Sequence, residues 1–106
     1  MPKFLIEVNY TLEGARGLKS EGGSPRVAAA TALIESLGGT VDAFYFALGD
    51  TDVYLIADLP DASAVVAAAL AVNAGGGATT RTVALLTAAD VDAAASAPST
   101  YRPPGS

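Results

Sequence analysis

The middle of the chain constrains the fold most strongly, because two neighbouring segments there are rich in β-forming residues on both faces. Thr40–Leu48 and Val53–Leu59 each carry consecutive apolar residues, with Tyr45 and Tyr54 among them. Gly49–Asp52 separates the two segments and has the turn-forming composition of a hairpin connection. Strands that face water on one side alternate between apolar and polar residues, and these two do not. The pattern therefore predicts an antiparallel hairpin that is covered on both faces.

The remaining elements follow from hydrophobic periodicity and from the glycine clusters that interrupt it. Helix starts are indicated at Ser24-Pro25 and at Asp61, where capping residues precede apolar residues at three- and four-residue spacing. The predicted elements are a strand Lys3–Tyr10, a short helical turn from a Thr11 cap through Leu18, a helix Pro25–Leu37, the two hairpin strands, a helix Ala62–Asn73, a strand Thr79–Leu86 and a helix from a Thr87 cap to about Ala94. This order predicts an α+β, ferredoxin-like βαββαβ domain, with a four-stranded antiparallel sheet and the helices on one face.

Each main helix is expected to bury one apolar stripe against the sheet. In the helix Pro25–Leu37 the stripe comprises Val27, Ala30, Leu33, Ile34 and Leu37. In the helix Ala62–Asn73 the stripe comprises Val66, Ala69, Leu70 and Asn73.

Two helices cover only one face of a four-stranded sheet, which leaves the opposite face open. The hairpin strands are apolar on that face too, and a monomer rarely exposes a large apolar patch. We therefore expect a second copy of the chain to cover the open face, in a dimer or a larger homo-oligomer. The alternative is that Tyr45 and Tyr54 lie at the surface with their hydroxyls in water.

The absence of histidine and cysteine limits the chemistry that the chain can perform. It removes the usual general base at neutral pH, cysteine nucleophiles, thiolate metal sites and nearly all zinc sites. No metal site and no cofactor is predicted. The net charge of −5 predicts an acidic surface that repels phosphate backbones, so nucleic acid is not an expected partner.

The length of 106 residues fits a single domain, predicted over residues 1–95. Residues 96–106 contain three prolines and are predicted to form a disordered tail. No apolar run approaches the roughly 18 residues of a membrane span, so no membrane association is expected. Glu7 and Asn9 interrupt the apolar segment near the N-terminus, so the expected location is the cytoplasm.

Polar side chains on the first strand and on the hairpin form a candidate ligand site. Asn9, Tyr10, Tyr45 and Tyr54 are expected to line a cavity in the sheet interface, where hydroxyls and an amide would orient a small apolar ligand. The alternative is that these side chains only pack in the interface. Arg81, in the middle of an apolar strand, is either a carboxylate-binding group or the partner of Glu7 on the neighbouring strand, and the ion pair is favoured.

The hairpin turn is a second candidate. Gly49, Asp50 and Asp52 place two carboxylates two residues apart, which could hold a cation or an amine. An ordinary turn, in which the aspartates bond to the local backbone, is favoured over such a site.

In several stretches the chain resembles the GYD domain family. The stretches that carry the resemblance are Lys3–Thr11, Gly38-Gly39 followed by Ala43–Phe46, Gly49–Asp52 before an apolar strand, Ala71–Ala74 and Arg81-Thr82. They span about residues 3–92 and are fairly specific only as an ordered combination. The chain departs from the family at Thr51, which stands at the position of the tyrosine in the turn that gives the family its name.

The resemblance implies a ferredoxin-like domain akin to the dimeric α/β-barrel proteins, in which the sheets of two subunits pack face to face. The family is functionally uncharacterised, so the resemblance implies no particular activity. We expect a small oligomeric domain that binds a small molecule or a protein partner. The alternative is a cofactor-free oxygenase or isomerase that acts on an aromatic or quinone-like molecule.

Overall fold

The protein has the predicted order of elements in a computed structural model that describes all residues from Met1 to Ser106. The strands are β1 (Lys3–Tyr10), β2 (Thr40–Phe46), β3 (Val53–Asp58) and β4 (Ala78–Leu85), and the helices are α1 (Leu12–Glu21), α2 (Gly23–Ser36), α3 (Ala62–Ala74) and α4 (Ala88–Ser96). The strands form one antiparallel sheet in the order β2-β3-β1-β4. The predicted α+β class and ferredoxin-like topology are confirmed.

The region between the first strand and the second helix differs from the prediction. The Thr11 cap is confirmed, since its hydroxyl accepts from Gly14 N, but α1 continues for a full ten residues to Glu21. The next helix begins at Gly23 and not at Ser24-Pro25. Gly22 makes the turn between the helices with φ of +83°, a conformation that glycine adopts without strain. Pro25 lies in the first turn of α2, where a missing N–H costs nothing.

The core is small and lies on the helix-bearing face of the sheet. Along β3, the residues Val53, Leu55 and Ala57 are buried, whereas Tyr54 is exposed and Ile56 is only partly covered. The other core residues come from β1, from α2, from α3 and from the segment after β3: Ile6, Ile34, Ala64, Ala68 and Leu59. The alternation in β3 shows that its second apolar set faces away from the helices.

The buried face of α3 differs from the predicted stripe. Val66 is 55% exposed and Leu70 is 65% exposed, and Asn73 is exposed as well. The inward residues are the smaller Ala64 and Ala68, with Ala69 half-buried beside them. The helix contains no charged residue, so its periodicity does not distinguish the two faces, and small side chains let its backbone approach the sheet.

The N-terminus of α1 is bound tightly to the loop that follows α3. Thr11 N donates to Gly77 O over 3.0 Å, and Thr11 Oγ1 donates to Gly76 O over 2.8 Å. A Cβ atom at Gly14 would lie 1.8 Å from Gly77 O, so this contact requires glycine. The glycine cluster after α3 therefore permits a close approach of two backbones.

The C-terminal segment, residues 86–106, lies entirely at the surface. Its helix, α4, begins at the predicted Thr87 cap, where the Thr87 and Asp90 side chains bond reciprocally to backbone N–H groups. Residues 97–106 contain no helix or strand, and their disorder stays a prediction. None of the helices combines the length and the hydropathy that crossing a membrane would require.

Candidate functional site

The open face of the sheet carries one apolar row that crosses all four strands. Direct cross-strand partners lie on the same face of a sheet, so the register defines the row. From β2 to β4 its members are Ala43, Ile56, Leu5 and Val83. Val83 is 47% exposed, and the other three members of the row are partly exposed.

A second row on the open face runs parallel to the first and is polar. Its members across the sheet are Tyr45, Tyr54, Glu7 and Arg81. Tyr45 is 70% exposed and Tyr54 is 41% exposed, and neither hydroxyl has a hydrogen-bond partner within the chain. The two tyrosines extend the apolar surface towards the edge of β2.

The Arg81 guanidinium is the centre of a hydrogen-bonded network on this row. Its Nη2 atom donates to Asn9 Oδ1 and to Thr51 Oγ1, both over 3.0 Å, and lies 3.7 Å from Glu7 Oε1. Thr51 Oγ1 in turn donates to Glu7 Oε1 over 3.0 Å. The predicted ion pair of Arg81 with Glu7 is confirmed, and it leaves Arg81 committed to groups of its own chain.

Thr51 has a structural role that the sequence did not indicate. It is the only buried polar residue, at 5% exposure, and its hydroxyl links the carboxylate of Glu7 to the guanidinium of Arg81. A buried hydroxyl is costly without partners, and this one both donates and accepts. The threonine at this turn position therefore fixes the end of the hairpin to the middle of the sheet.

The turn Gly49–Asp52 is closed by a hydrogen bond from Ala47 N to Asp52 O over 2.8 Å, and it is also held by β1. Asp52 Oδ2 accepts from Tyr10 N over 2.8 Å, Asp52 N donates to Val8 O over 3.0 Å, and Asn9 Nδ2 donates to Asp50 O over 2.6 Å. Asp52 therefore has the expected local bond through its backbone carbonyl, whereas its carboxylate bonds to β1 and not to the local backbone. No group of three acidic side chains suited to a metal ion is formed.

The expected grouping of ligand-binding residues is incorrect for one member. Asn9, Tyr45, Tyr54 and Arg81 lie on the open face, but Tyr10 points to the opposite face, where it packs against the core. The alternation of side chains along a strand requires this, because Asn9 and Tyr10 are neighbours in β1. No cavity in a sheet interface can be lined by all of them.

At the other end of the open face, Lys3 bridges two carboxylates. Its Nζ atom contacts Asp42 and lies 3.0 Å from Asp58 Oδ1. The hydrogen bonds that Lys3 donates to these carboxylates, chiefly the one to Asp42, raise the pKa of Lys3. The hydrogen bond from Lys3 lowers the pKa of Asp58. The single cation at this end of the face is thus paired within the protomer, and the two carboxylates leave a net charge of −1 there.

An apolar cavity of about 120 Å³ lies on the other side of the sheet, between the sheet and the helices α2 and α3. Fifteen of its eighteen lining residues are hydrophobic, and four of these are the alanines Ala29, Ala30, Ala68 and Ala69 of the two helices. Small side chains on both helices leave the space unfilled.

The side chains with polar groups that line this cavity are those of Tyr10, Arg26, Thr80 and Thr82. Burial raises the pKa of the Tyr10 hydroxyl, and the neighbouring Arg26 guanidinium opposes that increase. A larger recess of about 360 Å³, bordered by α1, shares Tyr10, Arg26, Leu33 and Val72 with the cavity. Arg26 was not among the predicted site residues, and the only sequence signal for it was an arginine in the first turn of α2, next to a run of apolar residues.

Comparison with known proteins identifies the family. No curated protein and no solved structure matches the chain significantly. The family model described as GYD domain matches residues 4–95. This match covers most of the 106 residues and includes every element from β1 to α4 except the first residue of β1 and the last residue of α4. The chain therefore belongs to the GYD domain family.

Proposed function

We propose that this protein is a self-associating binding domain: a second copy covers the open face of the sheet, and the resulting homo-oligomer binds a small molecule. The apolar row of the open face, extended by Tyr45 and Tyr54, is the observation that supports self-association. Apolar patches of this kind, rimmed by polar residues, are typical of protein interfaces. Tyrosine suits such a position because its ring packs while its hydroxyl remains free to bond.

The distribution of charge favours a second copy as the occupant. The open face carries two cations, Lys3 and Arg81, and three anions, Glu7, Asp42 and Asp58, which gives it a net charge of −1. The whole chain has a net charge of −5, so the remaining surface carries −4. Two copies of an acidic chain repel each other least where their charges are already paired. A basic partner, by contrast, would be attracted to the other surfaces.

The polar network of the open face supports an interface role better than a catalytic role. Arg81 already bonds to Asn9 and Thr51, and its distance from Glu7 is 3.7 Å. A substrate carboxylate would have to replace these partners. No observation favours a cofactor-free oxygenase or isomerase, so that alternative is not proposed. The cytoplasmic location stays a prediction.

The test of self-association is the mass of variants in which a charge is placed on the open face. Tyr45→Asp and Tyr54→Asp should each convert the assembly to monomers, because burying an unpaired carboxylate in an apolar contact costs several kcal/mol. Both side chains are exposed in the protomer, so the fold should persist in each variant. Tyr101→Asp is the matched control, since it adds the same charge at a 75% exposed position outside the sheet.

The measurement is light scattering at a fixed protein concentration, with circular dichroism to confirm folding. Self-association through the open face requires an oligomeric wild type, an oligomeric Tyr101→Asp variant and monomeric Tyr45→Asp and Tyr54→Asp variants. A monomeric wild type, or an unchanged mass in both open-face variants, would refute it.

A further inference from the structure

We infer that the cavity between the sheet and helices α2 and α3 is a binding site for a small aromatic carboxylate, with the ring in the cavity and the carboxylate at Arg26. This site lies on the face of the sheet opposite to the proposed interface. The inference rests on the small-molecule binding proposed above, and it does not depend on self-association.

The cavity has the size and lining of a site for one small apolar ring. An apolar cavity of roughly 150 Å³ is enough to hold benzene and stays free of water. The cavity here measures about 120 Å³ and shares Tyr10, Arg26 and Leu33 with the recess beside α1, so a carboxylate on the ring has room on that side. Its walls are formed by aliphatic and aromatic side chains, among them Leu33, Phe44 and Leu55. A binding pocket typically combines such walls with a few polar groups at one end.

Arg26 is the group that defines the charge of the ligand. Its nearest carboxylate oxygen, Glu21 Oε2, lies 3.9 Å from Nη1, beyond hydrogen-bond distance. Arg81, the arginine of the open face, bonds to two side chains of its own chain. The partners of Arg26 are thus a loose, exposed ion pair with Glu21 and the neighbouring Tyr10 hydroxyl, so a ligand carboxylate in the recess can replace Glu21 and bind the guanidinium through two parallel hydrogen bonds.

Tyr10 completes the polar end of the site. Its backbone is fixed by Asp52, whose carboxylate accepts from Tyr10 N over 2.8 Å, and its side chain borders both the cavity and the recess. A hydroxyl beside the guanidinium gives a carboxylate a further hydrogen-bond donor. The turn Gly49–Asp52 thus helps to position Tyr10, although no residue of the turn borders the cavity or the recess.

The probes for the test are benzoate and benzyl alcohol, which share a ring and differ in charge. Their binding to the full chain is measured by titration calorimetry. Arg26→Gln should weaken benzoate binding about tenfold or more while leaving benzyl alcohol unchanged, because only the carboxylate uses the charge. Arg16→Gln, at an exposed arginine of α1 that borders neither cavity nor recess, is the matched control.

A second pair of variants tests the location of the ring. Ala30→Leu fills the cavity from α2 and should abolish binding of both probes. Ala28→Leu, at an exposed position of the same helix that does not border the cavity, should bind like the wild type. Circular dichroism of each variant confirms that the helix content is retained.

The outcomes separate this inference from the broader proposal. Undiminished benzoate binding by Ala30→Leu, equal effects of Arg26→Gln and Arg16→Gln, or no binding of benzoate to the wild type would each overturn the assignment. Native mass spectrometry of the wild type and of Ala30→Leu, both purified from the original host, distinguishes a failure of the cavity assignment from a failure of the small-molecule function. A small bound molecule on both proteins would keep the small-molecule function and refute the cavity, whereas its presence on the wild type alone supports the cavity.

Discussion

Replacing Gly14 and Gly17 by alanine, one at a time, should change the stability of the protein in opposite directions. Both glycines lie in α1, where alanine is the better helix former by about 1 kcal/mol in the helix interior. An alanine Cβ at Gly17 would meet no atom within 4 Å. We therefore expect Gly17→Ala to raise the free energy of unfolding by up to about 1 kcal/mol.

At Gly14 the same methyl group would lie 1.8 Å from Gly77 O and 2.7 Å from Gly77 C. Both obstructing atoms belong to the backbone, so the loop after α3 or the helix itself has to move. The movement would break the two hydrogen bonds that Thr11 donates to Gly76 O and Gly77 O. Two such bonds contribute about 1 kcal/mol each, and overpacking adds roughly 1–3 kcal/mol. After the gain in helix propensity, the net loss should be roughly 2–4 kcal/mol.

Urea unfolding followed by circular dichroism measures both changes at one protein concentration, which keeps any effect of self-association constant. For a domain of this length, each kcal/mol shifts the melting temperature by roughly 4–8 °C. The reasoning would be refuted by a Gly14→Ala protein that is as stable as Gly17→Ala. That result would mean that helix propensity, and not the backbone contact, decides the stability at both positions.

Two further predictions concern the open face of the sheet. Thr51→Val should lower the free energy of unfolding by about 1–2 kcal/mol, because the buried hydroxyl that links a carboxylate to a guanidinium is lost. Thr79→Val, at an exposed position of β4, should change it by less than about 0.5 kcal/mol in the same urea assay, and equal effects would contradict the role of the hydroxyl. The Lys3 hydrogen bond lowers the pKa of Asp58 in the folded protein, so its stabilising effect is complete above the unfolded value of 3.8 and is lost as the pH falls through the lower folded value. Lys3→Met should flatten that part of the pH profile of unfolding, and an unchanged profile would show that Lys3 does not perturb Asp58.

Elements whose signals are local were predictable from the sequence. The hairpin was identified because its strands are rich in β-forming residues and the turn between them contains glycine and aspartate. The caps at Thr11, Asp61 and Thr87 were identified for the same reason, since a side chain and a nearby N–H form each of them. The pairing of Glu7 with Arg81 also followed, because the topology fixes which strands are neighbours.

Features that depend on packing between elements were not predictable. In α3 every residue but Ser63 and Asn73 is apolar. No row of polar residues therefore marks the exposed side of the helix, and the prediction that the larger Val66 and Leu70 are buried had no support of that kind. In the structure the alanines of the helix face the core, because the distance between helix and sheet determines which size of side chain fits there. The cavity and the position of Arg26 beside Tyr10 depend on the same distance, which a single sequence does not encode in any local pattern.

The exposed C-terminal segment has a hydrodynamic consequence. The radius of gyration is 17.1 Å, whereas a compact domain of about 100 residues has a value near 13 Å. The longest dimension is 59 Å and the shortest is 23 Å, because residues 86–106 extend the molecule without contributing a buried residue. A monomer of this shape migrates through a gel-filtration matrix like a considerably heavier sphere. Truncation after Leu85 should therefore delay elution by more than the lost mass alone requires.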